Sequence, residues 1–593
     1  MISRKTHLRI RKHIRKHKKL VSRVGESANK QLDRHFFRRW HNVHGASRFT
    51  LGWMTLLVIL IFGVIVQTKM LGGYYLFNTP SSGGVYTEGM VGVFSGANPI
   101  YATTNADLSV SKLVFASLLT YDNKNQLVGD LAQSWEVDDK GTTYTVKLKN
   151  NLLWQDGQSL TSDDVVYTFQ TIQNPDAKSP LLANWMGIKI EKVDNMTVKF
   201  ILPNAYSPFI YSLTTGIVPK HILSNISASQ LRSAAFNTEN PIGSGPFRWK
   251  NISVTGINAN DKTEVIQMTR FDNYRSSQAK LDGITLNLYP NIEDLNNALS
   301  SNKIIAASGM NLEEDKYVQS NKTLYDYPLM SANMLFLKNT SSILSDVKVR
   351  QALTKATNTS TILSELGHTS IPVKGPLLKG QIGYDPKVTQ QTFNKTEAAA
   401  LLDSAGWTQV SGDQFRKKDG KELTLTLKYD NQVPEYQGIT ESLKKQWAEL
   451  GINLEINSEE KQAQKLLDTH DYDILLYGIN IGYDPDVYAY WHSSQLDKKL
   501  PVHLNISEYK SKASDLALEA ARTRTDPKVR AAKYKSFLDA WQSDAPAIGL
   551  YQSRYLVVAN QPIYGVDARV INVPADRFNN VNQWMINTKR ITK

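Results

Sequence analysis

His221, His368, His470, His492 and His503 are the only histidines after residue 70, and no two of them stand at metal-ligand spacing. The chain has no cysteine, so thiolate ligands, cysteine nucleophiles, disulfides and thioether lipid anchors are all missing. It contains no H-E-x-x-H, no G-x-S-x-G and no P-loop. The adjacent carboxylates Asp163 and Asp164 follow Thr161-Ser162, an N-cap pattern, so they serve a helix dipole rather than acid–base chemistry. These residues point to a binding protein and not to an enzyme, with no cofactor and no protein-ligated metal.

The elements around them are mixed. Thr143-Tyr-Thr-Val-Lys-Leu-Lys149 alternates apolar and polar side chains, the mark of a half-buried strand. Asp138-Asp-Lys-Gly141 is turn chemistry, which predicts a hairpin with Trp135–Val137. Asp526-Pro527 opens a helix with Tyr534, Phe537, Leu538 and Trp541 on its inner face. A strand pair is expected after it, Ala547–Tyr551 with Tyr555–Ala559.

Charge is segregated. Residues 1–48 hold 15 of the 69 Lys/Arg and two of the 55 Asp/Glu, so +13 of the net +14 belongs to this tail. The remainder is nearly neutral, which removes the argument for a nucleic-acid-binding body. Phe49–Thr68 has no charge, and about 20 helical residues reach about 30 Å, the thickness of the bilayer hydrocarbon. The n-region is long and Gln67–Asn78 shows no clear small-x-small cleavage site, so residues 49–70 read as an uncleaved signal anchor, with a cleaved signal peptide as the alternative. The positive-inside rule puts the N-terminus in the cytoplasm and the rest outside the plasma membrane. Ile10, Ile14, Val21 and Val24 share a helical face among basic residues, which suits contact with anionic lipid, with a plain topology signal as the alternative and nucleic-acid contact, through His7, His13, His17, Phe36, Phe37 and Trp40, as a less favoured third. Residues 71–84 are rich in Gly and Ser and read as a linker.

Three neighbouring stretches resemble the signature block of bacterial extracellular solute-binding protein family 5: Leu131-Ala-Gln-Ser-Trp-Glu-Val137, Trp154-Gln-Asp-Gly157 and Leu160-Thr-Ser-Asp-Asp-Val-Val-Tyr167. The likeness continues in order through Pro241–Phe247, Val347–Leu353, Lys395–Trp407, Asp471–Asp486 and Thr525–Ala547. That family holds the dipeptide-, oligopeptide- and nickel-binding proteins of ABC importers. The resemblance implies a two-lobed α/β fold of the periplasmic-binding-protein type (class II, large peptide-binding), here preceded by one transmembrane helix. Lobe I would comprise 85–310, including the extra subdomain of the family, with 545–593 as its return segment. Lobe II would comprise 311–544. The implied function is capture of an oligopeptide or dipeptide by lobe closure and delivery to an ABC permease, by a monomeric protein. A ligand-sensing receptor, or a binder of a sugar or metal chelate on the same fold, is the alternative.

Peptide-binding members hold the ligand ammonium with an Asp near the end of a ligand-facing strand. In Tyr477-Gly-Ile-Asn-Ile-Gly-Tyr-Asp-Pro-Asp486 that position falls on Ile481 or Gly482, and neither is acidic. The expected ligand-binding residues are therefore Glu460 and Asp484 as compensating acids, with Asn480, Tyr483 and Trp491 beside them and Asn98, Thr103 and Thr104 on the lobe I loop. Each has a plainer reading: a solvated charge for Glu460, a turn-forming Asp before Pro for Asp484, core packing for the two aromatics, loop surface for the rest. No Arg stands in Asp430–Glu435 to clamp a ligand carboxylate.

Overall fold

The computed structural model describes residues 47–256, 258, 261–459, 463–497 and 503–592, together with Ser27 and Lys30. Glu460 and nearly all of the basic tail lie outside the described residues. The chain divides into two compact units, residues 1–79 with 588–593 and residues 80–587.

In the first unit one helix spans Ser47–Tyr75. Its segment Phe49–Gln67 is long and apolar enough to cross a membrane, and none of it is buried against protein. The linker expected over 71–84 is replaced in its first part. The helix continues through Gly72 and Gly73 to Tyr75, and Leu76–Ser81 is a strand paired with Asn587–Thr592. A glycine costs a helix only about 1 kcal/mol relative to alanine, too little to end one by itself. The partner strand comes from the far end of the chain, where local composition gives no hint of it.

The second unit contains the two expected lobes. The lobe I sheet has seven strands in the order Thr323–Pro328, Arg554–Ala559, Ala306–Met310, Val85–Val91, Gly283–Tyr289, Thr263–Arg270 and Phe247–Thr255. The lobe II sheet has six: Ile371–Pro372, Ala547–Gln552, Ser331–Leu337, Ile474–Asn480, Thr424–Asp430 and Asn453–Glu459. The chain changes lobes twice, between Pro328 and Ser331 and at Ser553. Both crossovers lie later than the 310/311 and 544/545 divisions expected from the sequence. The strand pair expected at 547–559 is also corrected. Both strands form, but Ala547–Gln552 pairs with Ser331–Leu337 and Arg554–Ala559 with Ala306–Met310 and Thr323–Pro328. Each is apolar on both faces, so composition alone cannot tell a hairpin from a run through two sheets.

The local readings otherwise hold. Ala132–Val137 and Thr143–Leu148 form the expected hairpin, and the Asp138 carboxylate accepts from the Thr142 and Thr143 amides. This hairpin is half of a four-stranded subdomain sheet. Thr161 and Asp164 make the capping box of helix Ser162–Gln173. The helix Pro527–Asp544 buries Tyr534, Phe537, Leu538 and Trp541. In the Gly-rich turn, a Cβ on Gly243 would lie 1.9 Å from the Val114 carbonyl oxygen, so only glycine permits that approach.

A half-buried carboxylate in lobe II, Glu508, gives a pH-dependent contribution. Glu508 is hydrogen-bonded to the Thr340 hydroxyl and to His470 Nδ1 at 3.0 Å, with Lys338 at 4.0 Å. Burial works to raise this carboxyl, but His470, Thr340 and Lys338 overcome it and bring it from 4.5 to about 2. A depressed folded pKa stabilises above the unfolded value, and that stability is lost as pH falls from about 4.5 towards 2. Glu508→Gln is expected to cost about 1–2 kcal/mol at pH 7, the pKa difference being reduced by solvent screening of this half-buried group. Urea unfolding of wild type and variant should show this gap shrinking steadily below pH 4.5. A gap that stays constant to pH 3 would remove the argument.

Candidate ligand cleft

The strand Ile474–Asn480 delivers the site. Its first half, Ile474-Leu-Leu476, is buried on both faces of the lobe II sheet. Beyond it Tyr477 is half-buried and Gly478 exposed, so the strand emerges from the core as it reaches the crossover. A cavity of about 390 Å³ opens there, lined by Tyr477, Gly478, Asn333, Asp430, Glu435, Tyr436 and Tyr551 of lobe II and by Leu312 and Arg554 of lobe I. That volume is in the range of small-molecule and peptide side-chain pockets.

The wall is pre-organised. The Tyr436 hydroxyl donates to Asn333 Oδ1 at 2.8 Å. Asn333 Nδ2 donates to the Tyr551 carbonyl at 3.3 Å and to Ser553 Oγ at 2.9 Å. A Cβ on Gly478 would lie 2.9 Å from Asn333 Oδ1, so the glycine keeps this bridge open. Arg554 is held by Asp326 at 2.7 and 3.0 Å and by Glu314 at 2.6 Å, so its charge is more than cancelled. Burial and then Asp430 raise the Tyr477 hydroxyl, and burial and then Glu435 raise that of Tyr551. Both carboxylates are thus close enough to the tyrosines to be felt by them.

A second cavity, about 210 Å³, lies in lobe I beneath Pro99 and Ala102, with Lys112, Tyr121, Asn572 and Asp576 on its walls. Asp576 Oδ2 accepts from the Asn572 and Val573 amides at 3.3 and 3.2 Å, and Lys112 approaches its other oxygen to 3.9 Å. The lobes meet beside this cavity. The Tyr121 and Tyr483 rings are 4.4 Å apart, and the Tyr206 hydroxyl donates to Asp486 at 2.9 Å. Arg522 pairs with the same Asp486 carboxylate at 2.9 Å and stacks over Tyr206 and Tyr488.

The residues singled out from the sequence are spread between these surfaces and the core. Asp484 does not serve as a free compensating acid. Its oxygens accept from Arg530 Nη1 and Nη2 at 2.7 and 2.8 Å, and burial pushes its carboxyl above the ordinary value against the pull of that arginine. Trp491 is corrected to core, being fully buried and stacked on Phe336. Tyr483 is buried between the lobes, its hydroxyl donating to the Val570 carbonyl at 3.2 Å. Asn98 is buried and shapes its loop through Asn237 at 2.9 Å and the Ile100 amide at 3.0 Å. Thr104 caps helix Asn105–Val114. Thr103 and Asn480 are exposed. Glu460 lies outside the described residues. Sequence reasoning missed Asp430, Glu435, Tyr436 and Tyr551. The stretch 430–435 holds no cation, and its two ends are the acids Asp430 and Glu435.

Comparison with known proteins follows the same outline. Residues 126–499, more than half of the chain, match the family model described as bacterial extracellular solute-binding proteins, family 5 Middle. The oligopeptide-binding protein AppA of Bacillus subtilis is 28% identical over 488 residues, covering 80% of this chain and 87% of its own. The solved structure of AppA from Bacillus subtilis in complex with a nonapeptide superposes with TM-score 0.66 at 25% identity, covering 86% of this chain and 100% of that one. The ABC transporter substrate-binding protein CtaP of Listeria monocytogenes gives TM-score 0.73 at 25% identity, covering 85% and 100%.

Proposed function

This chain belongs to the bacterial extracellular solute-binding proteins of family 5, and from that premise we propose that it is a membrane-anchored peptide receptor that loads an ABC permease. The observation that carries the reading is the cavity of about 390 Å³ at the crossover between the two sheets, with tyrosines, an amide and carboxylates on its wall. A peptide bound there touches both lobes, and closure over it favours the form that a permease recognises. The Tyr121–Tyr483 and Tyr206–Asp486 contacts bridge the same two lobes. Asn480 and Thr103, exposed at the strand end and on the lobe I loop, are proposed as further ligand contacts.

The anchor reading rests on Phe49–Gln67, whose apolar side chains face no protein, and on the 15 Lys/Arg that precede it. The tail then stays in the cytoplasm against anionic lipid, and the binding lobes stand outside as a monomer.

Native mass spectrometry of the full chain released from detergent tests the ligand. Added masses that fragment as peptides are expected. Added masses of sugars or metal chelates would replace the peptide assignment. Surface protease applied to intact cells tests the anchor: the lobes should be digested while an N-terminal tag is protected. A released chain lacking its N-terminus would show a cleaved signal instead.

A further inference from the structure

The charge of the larger cavity is not that expected for a site that clamps a peptide carboxylate. Asp430 and Glu435 are half-buried on its wall, and among the described residues the Asp430 carboxylate accepts only the Gln432 amide, at 2.9 Å. Glu435 has no ion-pair or side-chain hydrogen-bond partner among the described residues. The one cation on the wall, Arg554, is outnumbered by its own partners Glu314 and Asp326. An independent feature points to a missing donor or acceptor. Tyr551 is 5% exposed and lines the cavity, yet its hydroxyl has no hydrogen-bond partner among the described residues. Half-buried carboxylates with no ion-pair partner among the described residues, and a tyrosine hydroxyl left open to the cavity, are groups that a cationic, hydrogen-bonding guest can engage.

We propose that this cavity is a specificity pocket for a lysine or arginine side chain of the bound peptide. The inference rests on the peptide reading above. The alkyl stem of the guest lies against the Tyr436, Tyr477 and Tyr551 rings, and its charged end reaches Asp430 and Glu435, with the Tyr551 hydroxyl as an added acceptor.

The test is calorimetric titration of the full chain in detergent with N-acetylated alanine pentapeptides that carry one Lys, Arg, Gln or Glu, moved through each position. At one position Lys and Arg are expected to bind about tenfold more tightly than Gln, with Glu weakest. Glu435→Gln should bring Lys and Gln within about twofold at that position, its melting temperature reporting that it is folded. Equal affinity for Lys and Gln in the wild type overturns the pocket assignment while leaving peptide binding intact. The same peptides are also titrated without the acetyl group: binding by these alone, indifferent to the Lys, would make the guest the terminal ammonium and overturn it as well. If no peptide of any charge binds, with or without the acetyl group, the peptide reading itself falls, a different result from a lost charge preference.

Discussion

Arg577→Met is expected to lower the stability of lobe I by about 3–5 kcal/mol, the cost of leaving a buried charge without its partner. Arg577 and Glu88 have no solvent exposure, and the guanidinium donates to Glu88 Oε1 through both Nε and Nη2. It also donates to the Pro574 carbonyl at 2.6 Å and to Ser109 Oγ at 3.2 Å, and stacks over Phe578 at 4.0 Å. Tyr86 donates to the other Glu88 oxygen at 2.6 Å. One side chain therefore joins the first strand of the lobe, the helix at Ser109 and the return segment near the C-terminus. The carboxylate left behind in Arg577→Met keeps only the tyrosine. Removing both charges, as in Glu88→Met with Arg577→Met, should cost less than the single change, because no unpaired charge is then buried. Denaturant unfolding followed by tryptophan fluorescence checks both statements. A single variant within about 1 kcal/mol of wild type would show that water or another group reaches Glu88.

The parts of this architecture that were legible in the sequence are those whose cause is local. The capping box of Thr161 and Asp164 lies within three residues. The hairpin around Asp138 is set by one turn, and the apolar helix by an uninterrupted run. What was not legible depends on partners far along the chain. The strand Leu76–Ser81 exists because Asn587–Thr592 pairs with it. The passage through Ser553 joins two sheets because Ser331–Leu337 and Ala306–Met310 lie on either side of it. The crossovers shifted for the same reason: Thr323–Pro328 is claimed by Arg554–Ala559.

The site divides along the same line. Family likeness pointed to the strand Ile474–Asn480, and Tyr477 and Gly478 near its end line a cavity. The same likeness implied a replacement Asp near 481–484 and an Arg within 430–435, and the second stretch has none. Asp430 and Glu435 were visible as residue types but not as two acids on one wall, because Tyr551 and Asn333 complete that wall from two other strands. Trp491 was an aromatic beside a loop, and only the Phe336 ring packed at 5.6 Å makes it core.

Asp484 shows how a ligand role and a folding role are separated by experiment. Its neighbour in sequence is a proline, its neighbour in space is Arg530 on helix Pro527–Asp544, and the side chains of the pair are 7% and 4% exposed. Arg530 also donates through Nε to the Ala521 carbonyl at 3.1 Å, so the guanidinium is fixed from three directions. Asp484→Ala is expected to destabilise the unliganded chain by about 3–5 kcal/mol, and Arg530→Met by a similar amount. The two losses should not add in the double variant, since each removes the same pair. An acid that held the ligand would behave in the opposite way: the unliganded protein would unfold at the wild-type denaturant concentration and only peptide affinity would fall. Unfolding midpoints measured without peptide, beside titrations with it, distinguish the two. An unchanged midpoint for Asp484→Ala would restore Asp484 as a ligand residue. A large shift, with Arg530→Met matching it, leaves recognition of charge in this cleft to Asp430 and Glu435.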